Sequence, residues 1–178
     1  MARSQGHGQC GFTLVEALVS LAILAIIASV AVPGMQDIQH NMRLKGATEV
    51  LMSELRLAQS ESFKRQVGVS LNFRVNSDGS WCYGYSIDTA CDCTQANSCT
   101  LDGVEHVRRH DQFPGVQILP GVSGNRFSFQ PRRGTVTAGN ITLTGQNGTQ
   151  LRVVVSGLGR IRHCTPTGPT RFSGYPTC

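Results

Sequence analysis

The hydrophobic residues of this chain are concentrated in one continuous run near its amino terminus. The run extends from Phe12 to Val32, and Glu16 is its only charged residue. At about 1.5 Å of rise per residue, a helix over this run reaches roughly 31 Å, which matches the hydrocarbon thickness of a bilayer. The pattern therefore predicts a membrane-spanning helix over residues 12–33.

A short polar leader, residues 1–11, precedes that run. In an ordinary secretory signal the apolar segment comes before a small-residue cleavage site, whereas here the small residue, Gly11, comes first. Cleavage after Gly11 would remove the leader and leave the apolar helix on the mature protein. An uncleaved anchor is the alternative, but it gives no reason for the positions of Gly11 and Glu16.

Beyond Pro33 the spacing of the apolar residues becomes that of an amphipathic helix, which we predict over residues 34–66. Charged residues occupy the rest of the cylinder. We expect residues 12–66 to form one bent helix, with its first half in lipid and its second half on a globular domain. The face toward that domain comprises Met35, Ile38, Met42, Val50, Leu51, Leu55, Ala58 and Ser62.

Short alternating segments and turns replace the helical pattern from Val67 onward. Residues 67–75 and 80–87 flank a turn at residues 76–79, which predicts a β-hairpin. The fold class is therefore α+β, with a long N-terminal helix packed on a small antiparallel β-sheet domain, residues 67–178. Further strands are predicted at residues 116–119, 126–129, 135–136, 140–143 and 151–156.

Six cysteines remain once the leader, which contains Cys10, is removed. An even number of cysteines in a small exported domain predicts disulfide bonds, although sequence alone does not choose among the possible pairings. We expect Cys164 to pair with Cys178. The other four are expected to pair among themselves, in and beside a cysteine-rich insert at residues 88–111: Cys82, Cys91, Cys93 and Cys99. A four-cysteine zinc site is the alternative, but the C-x-C spacing in this set is not that of a zinc knuckle; we predict no metal and no cofactor.

Charge is distributed unevenly along the chain. The sequence has 16 Lys and Arg and 11 Asp and Glu, but no carboxylate side chain follows Asp111. Aromatic residues, Phe127, Phe129, Phe172 and Tyr175, are interleaved with the arginines of this C-terminal part. Guanidinium groups beside aromatic rings suit phosphate contacts and base stacking, which favours nucleic acid as a partner. The alternatives are a solvated basic surface and a surface that faces acidic neighbours in a filament. The arginines are Arg126, Arg132, Arg133, Arg152, Arg160, Arg162 and Arg171.

Two of these arginines, Arg160 and Arg162, belong to a G-R-x-R sequence at residues 159–162. In an extended strand their side chains point to one face and stand about 6.6 Å apart, near the spacing of successive phosphates. Ile161 between them would face inward. This pair is the first candidate for contacts with double-stranded DNA, and the remaining candidates are Arg132, Arg133 and Arg171.

The sequence does not predict an enzyme or any catalytic residue. His106 and His110 have the i, i+4 spacing of a zinc pair, but Val107 stands where an H-E-x-x-H motif requires its general base. The chain has no G-x-S-x-G, no P-loop and no Gly-rich dinucleotide motif. Surface histidines in a basic segment are the simpler interpretation.

Residues 11–16, Gly-Phe-Thr-Leu-Val-Glu, resemble the type III signal of type IV prepilins and type II secretion pseudopilins. The resemblance implies that a prepilin peptidase cuts after Gly11 and N-methylates Phe12, that Glu16 serves assembly and that Pro33 bends the helix. It also implies a single-pass protein of the cell inner membrane, with a periplasmic C-terminal domain that is extracellular in an assembled pilus. The expected partners are other pilins or pseudopilins, contacted through the N-terminal helix.

Glu16 requires its own physical explanation, since a carboxylate in a membrane helix costs about 2.5–3.5 kcal/mol. Cleavage creates an amine at Phe12, and in a bundle of packed subunits that amine can pair with Glu16 of a neighbour. The alternative is that Glu16 lies near the cytoplasmic headgroups and stays hydrated.

The C-terminal half resembles the GspH/FimT family of minor pilins and pseudopilins. The residues that carry this resemblance are FQPRRGTVTAGNITL and LRVVVSGLGRIR, which includes G-R-x-R. In FimT-like members that motif is associated with binding DNA during natural transformation, while other members are known mainly as assembly components. Two hypotheses follow: a structural subunit in the tip or initiating complex of a type IV pilus or type II secretion system, and a minor pilin that captures extracellular DNA.

Overall fold

The structure is a computed structural model that describes residues 13–87, 90–131, 135–169 and 171–178; the side chains of residues 30–34 are not described. The chain divides into two compact units, Met1–Ile38 and Gln39–Cys178, and each is described by itself. Some predicted sites therefore lie outside the described residues: Gly11, Phe12, Arg132, Arg133 and the side chain of Pro33, where the bend is expected.

One α-helix, α1 (Leu14–Arg65), begins in the first unit and ends in the second. Thr13 caps its start, because Thr13 Oγ1 accepts a hydrogen bond of 3.2 Å from the backbone N–H of Glu16. The Glu16 carboxylate in the first turn and basic side chains in the last turn are stabilised by the helix dipole. A side-chain cap thus marks the start of the helix, and side chains of favourable charge stand at both of its ends.

The apolar side chains in the first unit are exposed. Leu14, for example, is 78% exposed, and Leu24 and Ile26 are also largely accessible. Among the described residues, no helix is both long enough and apolar enough to span a membrane.

The strands of the second unit form two antiparallel sheets and a short hairpin in the described part of the chain. They are β1 (Val69–Val75), β2 (Trp81–Ile87), β3 (Thr100–Leu101), β4 (Val104–Glu105), β5 (Val107–Arg109), β6 (Gln117–Val122), β7 (Arg126–Gln130), β8 (Thr135–Val136), β9 (Gly139–Thr144), β10 (Gln150–Val155) and β11 (Ile161–Cys164). The five-stranded sheet has the order β5-β2-β1-β7-β8, the four-stranded sheet has the order β11-β10-β9-β6, and β3 pairs with β4. The predicted α+β class is confirmed, with the strands divided between two sheets.

One hydrophobic core joins the second part of α1 to both sheets. Leu44, Leu51 and Leu55 lie on one helix face, are at most 1% exposed, and pack in the same cluster as Phe127 of β7. Burial of a leucine side chain contributes about 1.5–3 kcal/mol, so this face fixes the helix on the sheets. Met35, Ile38 and Met42, predicted for the same face, are 64%, 56% and 68% exposed, and the buried face begins only at Leu44.

The cysteine-rich insert covers the outer side of the five-stranded sheet. The disulfide Cys82–Cys93 fastens it to β2, and Cys91–Cys99 closes it internally. Gly84 in β2 lies beneath the second disulfide: a Cβ built there would stand 2.7 Å from Cβ and 2.8 Å from Sγ of Cys99. This close approach requires glycine, and it explains why most of β1 and β2 is buried on both faces.

A buried polar contact also ties the insert to the helix. Glu54 of α1 accepts a hydrogen bond of 2.8 Å from Nε of Arg108 in β5, and a second one from the hydroxyl of Tyr85 in β2. Burial, reinforced by the hydrogen bond to Glu54, raises the pKa of the Tyr85 hydroxyl, which therefore stays protonated and donates. The edge strand β5 is held in place by this ion pair as well as by its pairing with β2.

Candidate functional site

The outer face of the four-stranded sheet is set by the alternation of β10. Leu151, Val153 and Val155 are buried, so Arg152 and Val154 face outward. Arg152 is directly opposite Thr142 of β9, and its Nε donates a hydrogen bond of 3.0 Å to Thr142 Oγ1. An arginine is thereby fixed in the middle of this face.

The hairpin between β10 and β11 places the G-R-x-R arginines on that face. Ile161 packs against the core, and the side chains on either side of it, Arg160 and Arg162, are exposed. The backbone N–H of Ser156 donates to the carbonyl of Arg160 at 3.0 Å, which continues the strand ladder to Arg160. Gly159 has φ +79°, the left-handed conformation that closes a three-residue hairpin loop, so this glycine has a structural role.

Four arginines lie in a row on the outer face, along the direction of β10, and we call them the arginine stripe. Arg171 forms an isolated β-bridge with Gln150 at one end of β10, and Arg162 of β11 is paired with Val154 near the other end. Successive outward positions along a strand are about 6.6 Å apart. From one end to the other the stripe comprises Arg171, Arg152, Arg162 and Arg160.

No carboxylate neutralises the stripe within the described residues. The ion pairs described there are formed by Lys64, Arg65, Arg74 and Arg108, all of which precede the stripe in sequence. Among the side chains after Asp111, those of the arginines are the only ones with a permanent charge. The stripe is therefore an uncompensated positive surface suited to binding phosphates.

The structure brings together three of the predicted DNA-binding candidates, Arg160, Arg162 and Arg171, and adds Arg152. Alternation in the sequence LRVVV identifies Arg152 as outward-facing once that segment is taken as a strand. Arg126 is separate, because it pairs with Asn72 in the five-stranded sheet.

The expectation of base stacking on aromatic residues beside the arginines is wrong for two of the four rings. Phe127 and Phe129 are 0% and 3% exposed, because β7 turns alternate residues into the core. Phe172 and Tyr175 are half-buried and pack on each other with ring centroids 5.2 Å apart. These two rings pack within the C-terminal tail and against the core. The groups that this face exposes for binding are therefore the guanidinium groups.

All six cysteines among the described residues are in disulfides. Cys164 is joined to Cys178, and the four cysteines in and beside the insert form the two bridges described above. None of these sulfur atoms is a free thiolate for zinc, and among the described residues no cluster of three metal-binding side chains occurs. The Cys164–Cys178 bridge closes a loop that contains Arg171 and so holds the end of the stripe against β10.

The two histidines with helical spacing, His106 and His110, do not lie on a common α-helix. His106 precedes β5 and packs edge-on against Tyr85, with ring centroids 5.9 Å apart. His110 begins a single 3-10 turn after β5. The i, i+4 argument for a zinc pair therefore does not apply to them.

Two protein-family models match this chain, one near its amino terminus and one over most of the folded domain. Residues 6–32 match the prokaryotic N-terminal methylation motif, and residues 47–159, more than half of the chain, match the family described as type II transport protein GspH. Comparison with curated proteins gives no significant match.

Two solved structures resemble the fold. The minor pseudopilin EpsH from the type 2 secretion system of Vibrio cholerae is 16% identical, with a TM-score of 0.50 over 71% of this chain and 99% of that one. The type IV minor pilin FimU of Pseudomonas aeruginosa is 19% identical, with a TM-score of 0.45 over 75% of this chain and 92% of that one.

A long N-terminal helix that bears a methylation motif and packs on antiparallel sheets defines a pilin-like protein, a class of filament subunits. The fold of this chain is similar to that of EpsH. This chain belongs to the GspH family of type II transport proteins.

Proposed function

We propose that this chain is a minor subunit that joins the tip or initiating complex of a type IV pilus or type II secretion pseudopilus. The observation that carries the proposal is the contrast between the two parts of α1. The second part buries its apolar face in its own domain, whereas Leu14, Leu24 and Ile26 in the first unit are exposed. An exposed apolar helix of this kind requires lipid before assembly and neighbouring helices afterwards.

Processing prepares the helix for that role. A prepilin peptidase removes residues 1–11 and methylates Phe12. Before assembly the mature subunit is anchored in the inner membrane, with its C-terminal domain in the periplasm. In a pilus the same domain becomes extracellular. The match of residues 6–32 to the methylation motif supports this sequence of events.

Glu16 pairs with the N-terminal amine of a neighbouring subunit in the assembled bundle. The carboxylate is exposed in the isolated chain, one turn from the new N-terminus. In the apolar interior of a bundle it requires a cationic partner, and the amine at Phe12 is the nearest group that processing supplies.

Glu16→Gln is expected to reduce incorporation into filaments by at least about tenfold, because one partner of a buried ion pair is lost. The backbone N–H of residue 16 still bonds to Thr13 Oγ1, so the helix start is retained. Immunoblots of sheared filaments and of membranes give the incorporated fraction. Glu49→Gln, which alters an exposed carboxylate in the second part of α1, serves as the matched control. Equal incorporation of both variants would contradict the pairing.

A second candidate function is the capture of double-stranded DNA by the arginine stripe. The observation that favours it is the absence of any ion pair to the stripe among the described residues, which leaves exposed Arg160, Arg162 and Arg171 available for phosphates. Phosphate contacts position a protein on DNA without reading its sequence. DNA of unrelated sequences is therefore bound alike.

The double change Arg160→Gln and Arg162→Gln is expected to flatten the slope of log affinity against log salt by about 1.8 on duplex DNA, at roughly 0.9 per phosphate contact. Fluorescence anisotropy over a salt series measures the slope. The matched control is Arg43→Gln with Arg56→Gln, which removes the same charge from exposed positions of α1.

Thermal melting of both double variants shows whether the arginine stems act through packing instead of charge. A stripe variant with unchanged melting and unchanged DNA affinity would remove Arg160 and Arg162 from the DNA-binding function. Loss of filament assembly with unchanged DNA affinity would assign the stripe to contacts with other subunits.

A further inference from the structure

Leu158 is the most exposed large apolar side chain in the described part of the domain. It lies at the tip of the β10–β11 hairpin and is 87% exposed, whereas the next large apolar residues along the hairpin, Val155 and Ile161, are buried and half-buried. A single exposed leucine is common on protein surfaces, but this one stands at the tip of a hairpin beside the exposed arginines Arg160 and Arg162.

Hydrogen bonds hold the backbone on both sides of Leu158 in place. The carbonyl of Gly157 accepts from the backbone N–H of Val136 at 3.1 Å, and the carbonyl of Gly159 accepts from Nε2 of Gln59 at 3.2 Å. The hairpin tip is thus attached to β8 on one side and to α1 on the other. Leu158 is presented in one position before it meets a partner, which lowers the entropic cost of binding.

The charges around Leu158 identify the chemistry of that partner. Arg160 and Arg162 lie on the adjacent outer face, and no carboxylate side chain occurs anywhere after Asp111. An apolar pocket on a protein would need an acidic rim to match these arginines, whereas duplex DNA supplies closely spaced phosphates on both sides of an apolar base stack. Proteins that bend DNA insert leucine and similar side chains between base steps in this way.

We propose that Leu158 is an apolar wedge that inserts into a base step of duplex DNA while Arg160 and Arg162 bind the flanking phosphates. The inference rests on the DNA-binding function proposed above. Insertion requires two base pairs to unstack, and unstacking is easiest where the duplex carries a mismatch. A protein that binds through the arginines alone does not distinguish a mismatched duplex from a matched one.

The test compares two fluorescent duplexes that differ only in one central mismatch, with the full chain in detergent micelles. We expect about tenfold tighter binding to the mismatched duplex. Leu158→Ala should abolish this preference and retain the salt slope, since the phosphate contacts remain. Val104→Ala is the matched control, because Val104 is 58% exposed and also stands beside a hairpin turn. Its neighbours in sequence include the acidic residues Asp102 and Glu105 instead of arginines, so it should not contact DNA.

The outcomes separate the wedge from the DNA-binding function. DNA binding with the expected salt slope but no mismatch preference, or a preference that survives in Leu158→Ala, would overturn the wedge alone. An absence of DNA binding by the parent chain would overturn both. Loss of Leu158→Ala from filaments, with DNA binding and mismatch preference unchanged, would overturn the wedge and assign the hairpin tip to a neighbouring subunit.

Discussion

Gly11→Val is expected to leave the chain as an unprocessed precursor that keeps residues 1–11. We propose that a prepilin peptidase cuts after Gly11 and that its active site accepts a small residue at this position. A branched side chain there would keep the scissile bond from reaching the active site. The effect is close to all-or-none, because an uncut leader blocks both methylation and the new amine at Phe12. Intact-mass measurement of the membrane-extracted protein distinguishes the two forms.

Gly8→Val is the matched control for this change, since Gly8 is a glycine of the same leader three residues upstream of the cut. It should be processed normally. Normal processing of Gly11→Val would contradict the assignment of the cleavage site and with it the proposed pairing of the Phe12 amine with Glu16.

Gly84→Ala is expected to lower the free energy of unfolding by about 1–3 kcal/mol, the usual cost of an extra methyl group in a packed interior. The new Cβ would stand 2.7 Å from Cβ of Cys99 and 2.8 Å from the carbonyl oxygen of His106. The disulfides Cys82–Cys93 and Cys91–Cys99 hold the cysteine-rich insert over β2, so the insert cannot move aside freely. Thermal or denaturant unfolding measures the loss.

Gly46→Ala is the control for this glycine change, and it should have the opposite sign. Nothing lies within 4 Å of a Cβ at Gly46, and alanine favours the interior of a helix by about 1 kcal/mol. A second comparison places Gly84→Ala in a chain with Cys91→Ala and Cys99→Ala. This background removes Sγ of residue 99, which lies 2.8 Å from the new Cβ, and the disulfide that holds Cβ of residue 99 in place, so the cost of Gly84→Ala should shrink there. An equal cost in both backgrounds would contradict the proposed origin of the effect.

Periodicity predicted the elements that form the core. The predicted helix over residues 12–66 appears as α1, Leu14–Arg65, and the hairpin of residues 67–87 appears as β1 and β2. The later predicted strands all appear with small shifts of their bounds. Burial of apolar residues at regular spacing is the main force that stabilises these elements, and that spacing is visible in the sequence.

The strands of the insert could not be predicted from periodicity. β3, β4 and β5 have two or three residues each, and their residues are mostly polar or partly exposed. They are held by two disulfides, whose cysteines are 11 and 8 residues apart, and by the contact between Glu54 and Arg108, which are 54 residues apart. None of these contacts leaves a periodic pattern in the sequence. For the same reason the sequence could not choose how the four cysteines of this region pair.

The arginine site was partly predictable. Charge counting found the basic segment, and strand alternation predicted a common face for Arg160 and Arg162. Arg152 was missed as a member, because its place beside them depends on which strands pair with β10. The role assigned to Phe127 was wrong because composition shows that rings and arginines are interleaved but not that strand alternation sends them to opposite faces.

The bridge between Cys164 and Cys178 has a consequence for the resistance of the domain to proteases. A protease that cuts the backbone anywhere between these two residues opens the loop but releases no fragment, since the disulfide still joins both pieces. Arg171, whichever piece carries it, remains covalently attached near β10. A subunit cut once in this loop would therefore keep its full set of arginines, and reduction of the bridge would be needed to detach the tail.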